Sequence, residues 1–336
     1  MRFLLLPFAW LYSAILWFRH WLYDLRIIQS RSFDIPYIVL GNLELGGSGK
    51  TPHSSLVIHH LEQNHEVGLL SRGYGRTTKG PIWVERSSSV DEAGDELCML
   101  RRAHPEIKVL ACEDRVLGIE MLIQSGCEVI ILDDAFQHRR LAGGFRVLLT
   151  PSKRPFWKEF VVPSGRLRDI PSRWRSADVI IRTKHSGIEQ DFPSDMRRSG
   201  LPLFSSSFEQ EQARHISDGT PLPEGAGVMA FSGLADNSSF FQSLAGKYKL
   251  LDMKGFSDHH KYTVGEVESL LSRLNEFEDS EKALITTEKD AARLQASHLK
   301  DLTAGIPLYV VPVKVRKDKD IEQFLQCIDA YVEAVR

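Results

Sequence analysis

Cysteine is scarce: only Cys98, Cys112, Cys127 and Cys327 occur in 336 residues, and no two form a C-x-x-C pair. That argues against a zinc site or a disulfide framework and fits a reducing compartment. An excess of one charge is lacking too. The 42 Lys and Arg against 44 Asp and Glu leave a net charge of −2, which gives no global case for nucleic-acid binding. Internal repeats and long low-complexity segments are absent. So is an apolar run of the roughly 20 residues that a comfortable membrane span needs. The nearest approach is residues 3–18, interrupted only by Pro7 and Ser13 and bracketed by Arg2 and Arg19. No small-x-small cleavage site follows it, which argues against a cleaved signal peptide. Trp10, Trp17 and Trp21, half of the six tryptophans, lie here with Tyr12 and Tyr23. Such aromatic density suits a membrane interface. A helix within residues 1–30 that lies in, or dips into, the membrane surface is therefore expected, with a buried core helix as the alternative.

What is present is dominated by one glycine loop. The apolar run 35–40 leads into Gly41-Asn42-Leu43-Glu44-Leu45-Gly46-Gly47-Ser48-Gly49-Lys50-Thr51-Pro52, and a helically spaced segment follows. Strand, glycine loop, Gly-Lys-Thr and helix form the layout of a phosphate-binding P-loop. Glycines let backbone N–H groups turn toward phosphate oxygens, and the helix N-terminus favours negative charge. Gly46, Gly47, Ser48, Gly49 and Pro52 would line the nucleotide, Lys50 would reach its outer phosphates, and the Thr51 hydroxyl would ligate Mg²⁺. The strict pattern G-x-x-x-x-G-K-[ST] is broken by Glu44 at its first glycine. A partition-type or metal-insertion ATPase has a similar loop but usually carries lysine where Leu45 stands. A non-catalytic membrane-bound nucleotide sensor is a third reading.

Strands and helices alternate along the chain. Strands are expected at 37–40, 67–70, 108–111, 129–132, 146–149 and 179–181, and helices at 52–63, 95–103 and 114–124. The pattern predicts an α/β fold, a P-loop NTPase-like and mostly parallel sheet flanked by helices. Near 205–227 the composition turns to Ser, Gly, Pro and charge, which suggests a domain boundary. A second β/α series follows, at 227–231, 247–251, 283–286 and 308–313 with helices around 238–245, 263–275 and 321–335. The expected units are 1–30, a nucleotide-binding core at 31–205, and a smaller lobe at 206–336 whose last helix could return to the core.

Functional residues should collect beyond the strand carboxyl ends. The buried-strand run 127–132 ends in Asp133-Asp134, and a carboxylate there commonly holds the P-loop Mg²⁺. Gln137 and His138 follow at the same edge. Asp95 and Glu96 could be an N-cap and a first-turn acid and no more. Asp258-His259-His260 could be a surface turn, a metal pair, or half of a carboxylate–imidazole pair that deprotonates an alcohol. Ser71-Arg72-Gly73-Tyr74-Gly75-Arg76 reads as a structural turn or a cationic loop near phosphates. The arginines and lysines between His138 and Arg175 are either a solvated basic face or a surface toward phosphate or anionic lipid.

Together these segments resemble the tetraacyldisaccharide 4′-kinases of lipid A biosynthesis. The matching pieces are the glycine loop, Ser71–Gly75, Gly94-Asp95-Glu96, Asp114-Arg115, the stretch 132–138, Pro163-Ser164-Gly165-Arg166-Leu167-Arg168, Phe256-Ser257-Asp258-His259-His260 and Thr286-Thr287-Glu288-Lys289-Asp290. They span nearly the whole chain in order. Asp169 departs from the family, which usually has Glu after Leu-Arg. The resemblance implies transfer of the ATP γ-phosphate to the 4′-hydroxyl of an acylated glucosamine disaccharide 1-phosphate. It also implies attachment to the cytoplasmic face of a Gram-negative inner membrane, with no obligatory protein partner inferred. By position, Asp95 corresponds to the catalytic base and His259 to its dyad partner. Thr51, Asp133, Asp134 and Glu96 correspond to the Mg²⁺ site. Arg72, Tyr74, Arg115, Gln137, His138 and Arg168 correspond to substrate or phosphate contacts.

Overall fold

A computed structural model describes residues 2–187, 191–234, 236–258, 260–278, 282–295, 299–303 and 305–336. Its larger sheet has eight strands: β1 (Tyr37–Asn42), β2 (Val67–Ser71), β3 (Ile82–Trp83), β4 (Lys108–Ala111), β5 (Val129–Asp133), β6 (Phe145–Pro151), β7 (Val179–Thr183) and β8 (Leu203–Ser205). They lie in the order β3-β4-β2-β5-β1-β6-β7-β8. All pairings are parallel except β3 with β4.

Uninterrupted apolar strands need cover on both faces, and alternate side chains here enter different cores. Ile38 and Leu40 of β1 join Val129 and Ile131 of β5 in one cluster, whereas Tyr37, Val39, Ile130 and Leu132 join another. Over the first face lie helices whose apolar residues recur every third or fourth position. They are α2 (Lys50–Leu61) and, beyond the short α3 (Val90–Ala93), α4 (Asp95–Ala103). The opposite face is covered by α5 (Arg115–Gln124), through Ile119 and Leu122. Further along that face, beside β6 and β7, sits α1 (Leu6–Asp24), whose Leu16 packs in a cluster with Phe156, Trp174 and Phe192. The short α6 (Ser194–Arg198) adds Met196 to that cluster.

Past β8, β9 (Phe208–Gln210) begins a second region. It contains β10 (Arg214–His215), β11 (Gly227–Ser232), β12 (Lys249–Gly255), β13 (Lys282–Thr287) and β14 (Leu308–Val311), ordered β10-β14-β13-β11-β12. Helices α7 (Asn237–Leu244) and α8 (Val264–Asn275) pack in its two apolar clusters. The short α9 (Glu288–Leu294) and α10 (Lys300–Thr303) connect β13 to β14. Pro312, which lacks a ladder donor, separates β14 from β15 (Val313–Val315), and β15 pairs antiparallel with β9. The final helix, α11 (Lys319–Val335), then buries Ile321, Phe324, Ile328 and Val332 in the first sheet's core.

Among the described residues no helix is long and apolar enough to cross a membrane. On α1, Ala9, Leu16, His20 and Tyr23 face inward, while Phe8, Trp10, Leu11 and Trp17 remain exposed.

Candidate active site

The neighbours β1 and β5 end side by side, with Leu40 opposite Asp133. The glycine loop leaves β1 there and delivers Lys50 at the first position of α2 and Thr51 at the second. Gly49 caps the helix at φ 81°, and a Cβ at that position would lie 2.6 Å from the Phe208 ring. Both the backbone sign and the space therefore call for glycine. The loop is stitched to its surroundings. Thr183 Oγ1 donates to Ser48 O at 2.8 Å, Lys184 Nζ to Gly47 O at 3.1 Å, and Arg166 Nη2 to Leu45 O at 2.8 Å.

Behind the loop, charges alternate over short distances. Lys50 Nζ is 3.6 Å from Asp134 Oδ1 and donates to Asn42 Oδ1 at 3.2 Å. Arg168 grips both oxygens of Asp134, with Nη1 at 2.8 Å from Oδ2, and its Nη2 reaches Asn42 Oδ1 at 2.6 Å. Burial works against ionisation of Asp134, but Arg168 and Lys50 outweigh it and hold the carboxyl at about 2. Asp133 behaves oppositely. Burial, then the charges of Glu96 and Asp134, push it up to about 7 despite Lys50 and a hydrogen bond from Ser54 Oγ at 2.9 Å. The two adjacent carboxylates thus differ: arginine and lysine hold Asp134 ionised, whereas burial and the neighbouring carboxylates disfavour the charged form of Asp133.

A divalent cation would relieve that imbalance. Among the described residues no group of three or more His, Cys, Asp or Glu is arranged to hold a metal. Mg²⁺, however, takes only one or two carboxylates alongside phosphate oxygens and water. Asp133, with Glu96 and Thr51 near the same strand end, has the donor chemistry for it.

Asp95 and Glu96 open α4. Asp95 is the first helical residue and not the N-cap; Gly94 takes that position at φ 90°. Its Oδ2 accepts from Arg293 Nη2 at 2.8 Å and Nε at 3.2 Å, with Lys289 Nζ at 3.8 Å. Lys289 also reaches Glu96 Oε1 at 3.3 Å. Both basic residues come from α9, so this carboxylate lies where the two sheet regions meet. Asp290 anchors Arg293 at 2.9 Å and accepts from Gly233 N.

His259 lies outside the described residues. Its neighbour His260 pairs with Glu266 at 3.1 Å and stacks on Phe256, so it serves the start of α8. Arg115 is buried and lies within the electrostatic influence of Asp133 and Asp134. Burial lowers its pKa to about 10, which leaves it cationic at neutral pH. Gln137 Nε2 donates to Asn42 O at 2.6 Å. Burial, then Arg115, holds His138 down to about 4, a neutral imidazole. Arg72 and Tyr74 stand further out, on the wall of a 360 Å³ cavity shared with Arg76, Lys79 and Glu113. A larger cavity of 500 Å³, along Ser205–Ser207 and Arg316, contains none of these side chains.

Sequence reasoning gave no role to three residues that the structure brings to this site. Asn42 is a polar residue closing an apolar strand, a signal that was present. Arg293 falls beyond the recognisable Thr-Thr-Glu-Lys-Asp motif. Glu44 stood out only as a missing glycine; it proves buried, accepts from Thr150 Oγ1 at 2.8 Å, and is pushed by burial to about 7.

Residues 1–332 match the family described as Tetraacyldisaccharide-1-P 4′-kinase. The chain belongs to this family. It is 32% identical to the tetraacyldisaccharide 4′-kinase of Phocaeicola vulgatus, across 93% of this chain and 89% of the relative. The corresponding kinase of Bacteroides fragilis is also 32% identical, over 98% of this chain and 92% of its own length. The crystal structure of LpxK from Aquifex aeolicus in complex with ATP superposes with a TM-score of 0.81 at 31% identity, covering 98% of this chain and 99% of that one. A mixed α/β fold with a mostly parallel central sheet is thus common to this 4′-kinase family member and the Aquifex structure. Family membership makes the chain a kinase and sets aside the partition-type ATPase and the passive nucleotide sensor.

Proposed function

We propose that the chain transfers the γ-phosphate of ATP to the 4′-hydroxyl of a tetraacylated glucosamine disaccharide 1-phosphate, at the cytoplasmic face of a Gram-negative inner membrane. The observation that carries this reading is the convergence of Lys50, Arg168, Arg115 and the paired carboxylates Asp133 and Asp134 at the end of the glycine loop.

Phosphoryl transfer asks for alignment and for fixed positive charge where negative charge develops. The loop amides and the N-terminus of α2 would hold the phosphate chain, with Pro52 in the first turn lacking a donor that the helix does not need. Lys50 and Arg168, already oriented by Asn42 and Asp134, would face the transferred group without reorganising. Arg115 would add a buried positive charge nearby. Thr51, Asp133 and Glu96 would hold Mg²⁺, with Asp133 the closer carboxylate because Asp134 is already neutralised by Arg168 and Lys50. When bound, the ion would offset charge on the phosphate oxygens.

A sugar hydroxyl is a poor nucleophile until its proton has an acceptor. Asp95 would receive that proton on its carboxylate, with Arg293 and Lys289 fixing the group's orientation. His259, on the family resemblance, would be its partner. Arg72, Tyr74, Gln137 and His138 would border the lipid head group. The exposed aromatic face of α1 would rest on the bilayer that holds the acyl chains.

The test is lipid labelling from [γ-³²P]ATP by the wild-type chain and by Asp95→Asn. The wild type is expected to label the lipid, and the variant to lose about 10²–10⁴-fold in kcat while its ATP dissociation constant stays within about twofold. A variant that loses ATP affinity in proportion to its rate overturns the role given to Asp95. A wild type that labels no lipid overturns the function.

A further inference from the structure

Among the buried polar pairs that the mechanism leaves unused, one lies beside the phosphate site. His20, on the inward face of α1, places Nε2 2.7 Å from Asp169 Oδ1, and both residues are at most 4% exposed. Asp169 adjoins Arg168, the arginine that spans Asp134 and Asn42. Its Oδ1 also accepts from Ile170 N at 2.8 Å, whereas Oδ2 has no hydrogen-bond partner, nor has His20 Nδ1. Arg146 and Arg173 lend Asp169 electrostatic support. Among the described residues, His20 is the one side chain hydrogen-bonded to it. A buried carboxylate that loses such a partner either shifts or takes up a proton.

We propose that His20 is a positioning residue of the phosphoryl-transfer site. By seating Asp169 it fixes the adjoining Arg168 across Asp134 and Asn42. The inward face of α1 thereby belongs to the framework of the phosphate site, whatever its outward face binds. Arg168 N donates to Leu43 O at 2.8 Å, so the same segment is also tied to the glycine loop, and a shift at Asp169 would be felt there. A misplacement on the order of 1 Å at a phosphate-facing group can cost up to about 10²-fold in rate. The kinetic consequence rests on Arg168 acting at the transferred phosphate, as proposed above.

The test uses the full chain with detergent-dispersed lipid acceptor, so that membrane attachment does not limit the rate. His20→Phe keeps a ring and removes the hydrogen bond, while His20→Gln keeps a donor near the Nε2 position. H20F is expected to lower kcat about tenfold with the KM for ATP within about twofold, and H20Q to stay within about threefold of wild type. Combined with Arg168→Ala, H20F should add no further loss, because both changes act through one guanidinium. Amide exchange at Arg168 should quicken in H20F and not in H20Q, a readout that needs no turnover. Normal kcat in H20F, equal losses in H20F and H20Q, or full multiplication with R168A would each overturn the proposal. Should H20F fail to fold, Asp169→Asn keeps an acceptor for His20 and is expected to remain within about threefold of wild type; a larger loss overturns the proposal. If the wild type labels no lipid while exchange follows the expected pattern, the kinase reading fails and the link from His20 to Arg168 stands. If the wild type is active and exchange at Arg168 ignores His20, the link alone fails.

Discussion

Glu44 stands where a strict P-loop has glycine, and its surroundings show what the exchange entails. The side chain turns into the protein, bonds Thr150, and leaves Oε2 buried without a partner. Burial raises its pKa from 4.5 to about 7. The folded state therefore binds a proton that the unfolded chain has released between those values, so stability falls as pH rises from 4.5 to about 7. Glu44→Gln keeps an acceptor for Thr150 and removes the ionisation. It is expected to stabilise the fold by about 1–3 kcal/mol above pH 7 and to have little effect below pH 4.5. Chemical denaturation at two pH values checks this; a gain that is equal at both would show that charge is not the cause. Asp134 has the opposite linkage. Its contribution is present above the ordinary carboxylate range and is lost as pH falls toward about 2. These differences were not legible in the sequence, because Asp133 and Asp134 are chemically identical and only their neighbours distinguish them.

At the scale of elements, hydrophobic patterning was informative wherever a segment was long. The strand 37–40 and the helix 95–103 occur much as the spacing indicates, with β1 extending to Asn42. Two-residue pairings such as Ile82–Trp83 and Arg214–His215 carry too little pattern to be recognised. The expected strand 308–313 is split at Pro312, and the three residues beyond it pair with β9 instead. Helix α1 illustrates a finer limit. Its composition is apolar nearly all round, so periodicity alone could not separate the face that carries Leu16 and His20 from the face that carries Trp10 and Trp17. Trp10 is 69% exposed and Trp17 59%. Changing both to Ser is expected to lower binding to acidic phospholipid vesicles at least about tenfold, with the thermal midpoint unchanged. Unchanged vesicle binding would remove the membrane role from this face.

For the whole molecule, the chain's return matters most. After the second sheet, α11 crosses back and buries Phe324 in the first sheet's core, while Arg293 and Lys289 from the second region hold Asp95 of the first. Phe324→Ala is expected to cost about 3–5 kcal/mol. Because Arg293 and Lys289 tie the second region to the first, the loss should appear as one shifted unfolding transition. An early, separate transition confined to the first region would indicate that these contacts do not couple the two. The compositional break near 205–227 hints at two units, but contacts between residues some 200 positions apart, such as Asp95 with Arg293, are invisible to local pattern. The turn of the glycine loop was legible because its backbone geometry restricts which residues can serve there. The clamp on Asp95 was not, because nothing local requires it.

The proposed function requires transfer from ATP to a particular hydroxyl of a membrane lipid. It is tested most directly by incubating the wild-type chain with Mg-ATP and tetraacylated disaccharide 1-phosphate, then locating phosphate in the product by phosphorus NMR while counting ADP. One ADP formed per lipid that gains a 4′-phosphate is the expected result. ADP released without a new lipid phosphate, or phosphate at another position, would contradict it.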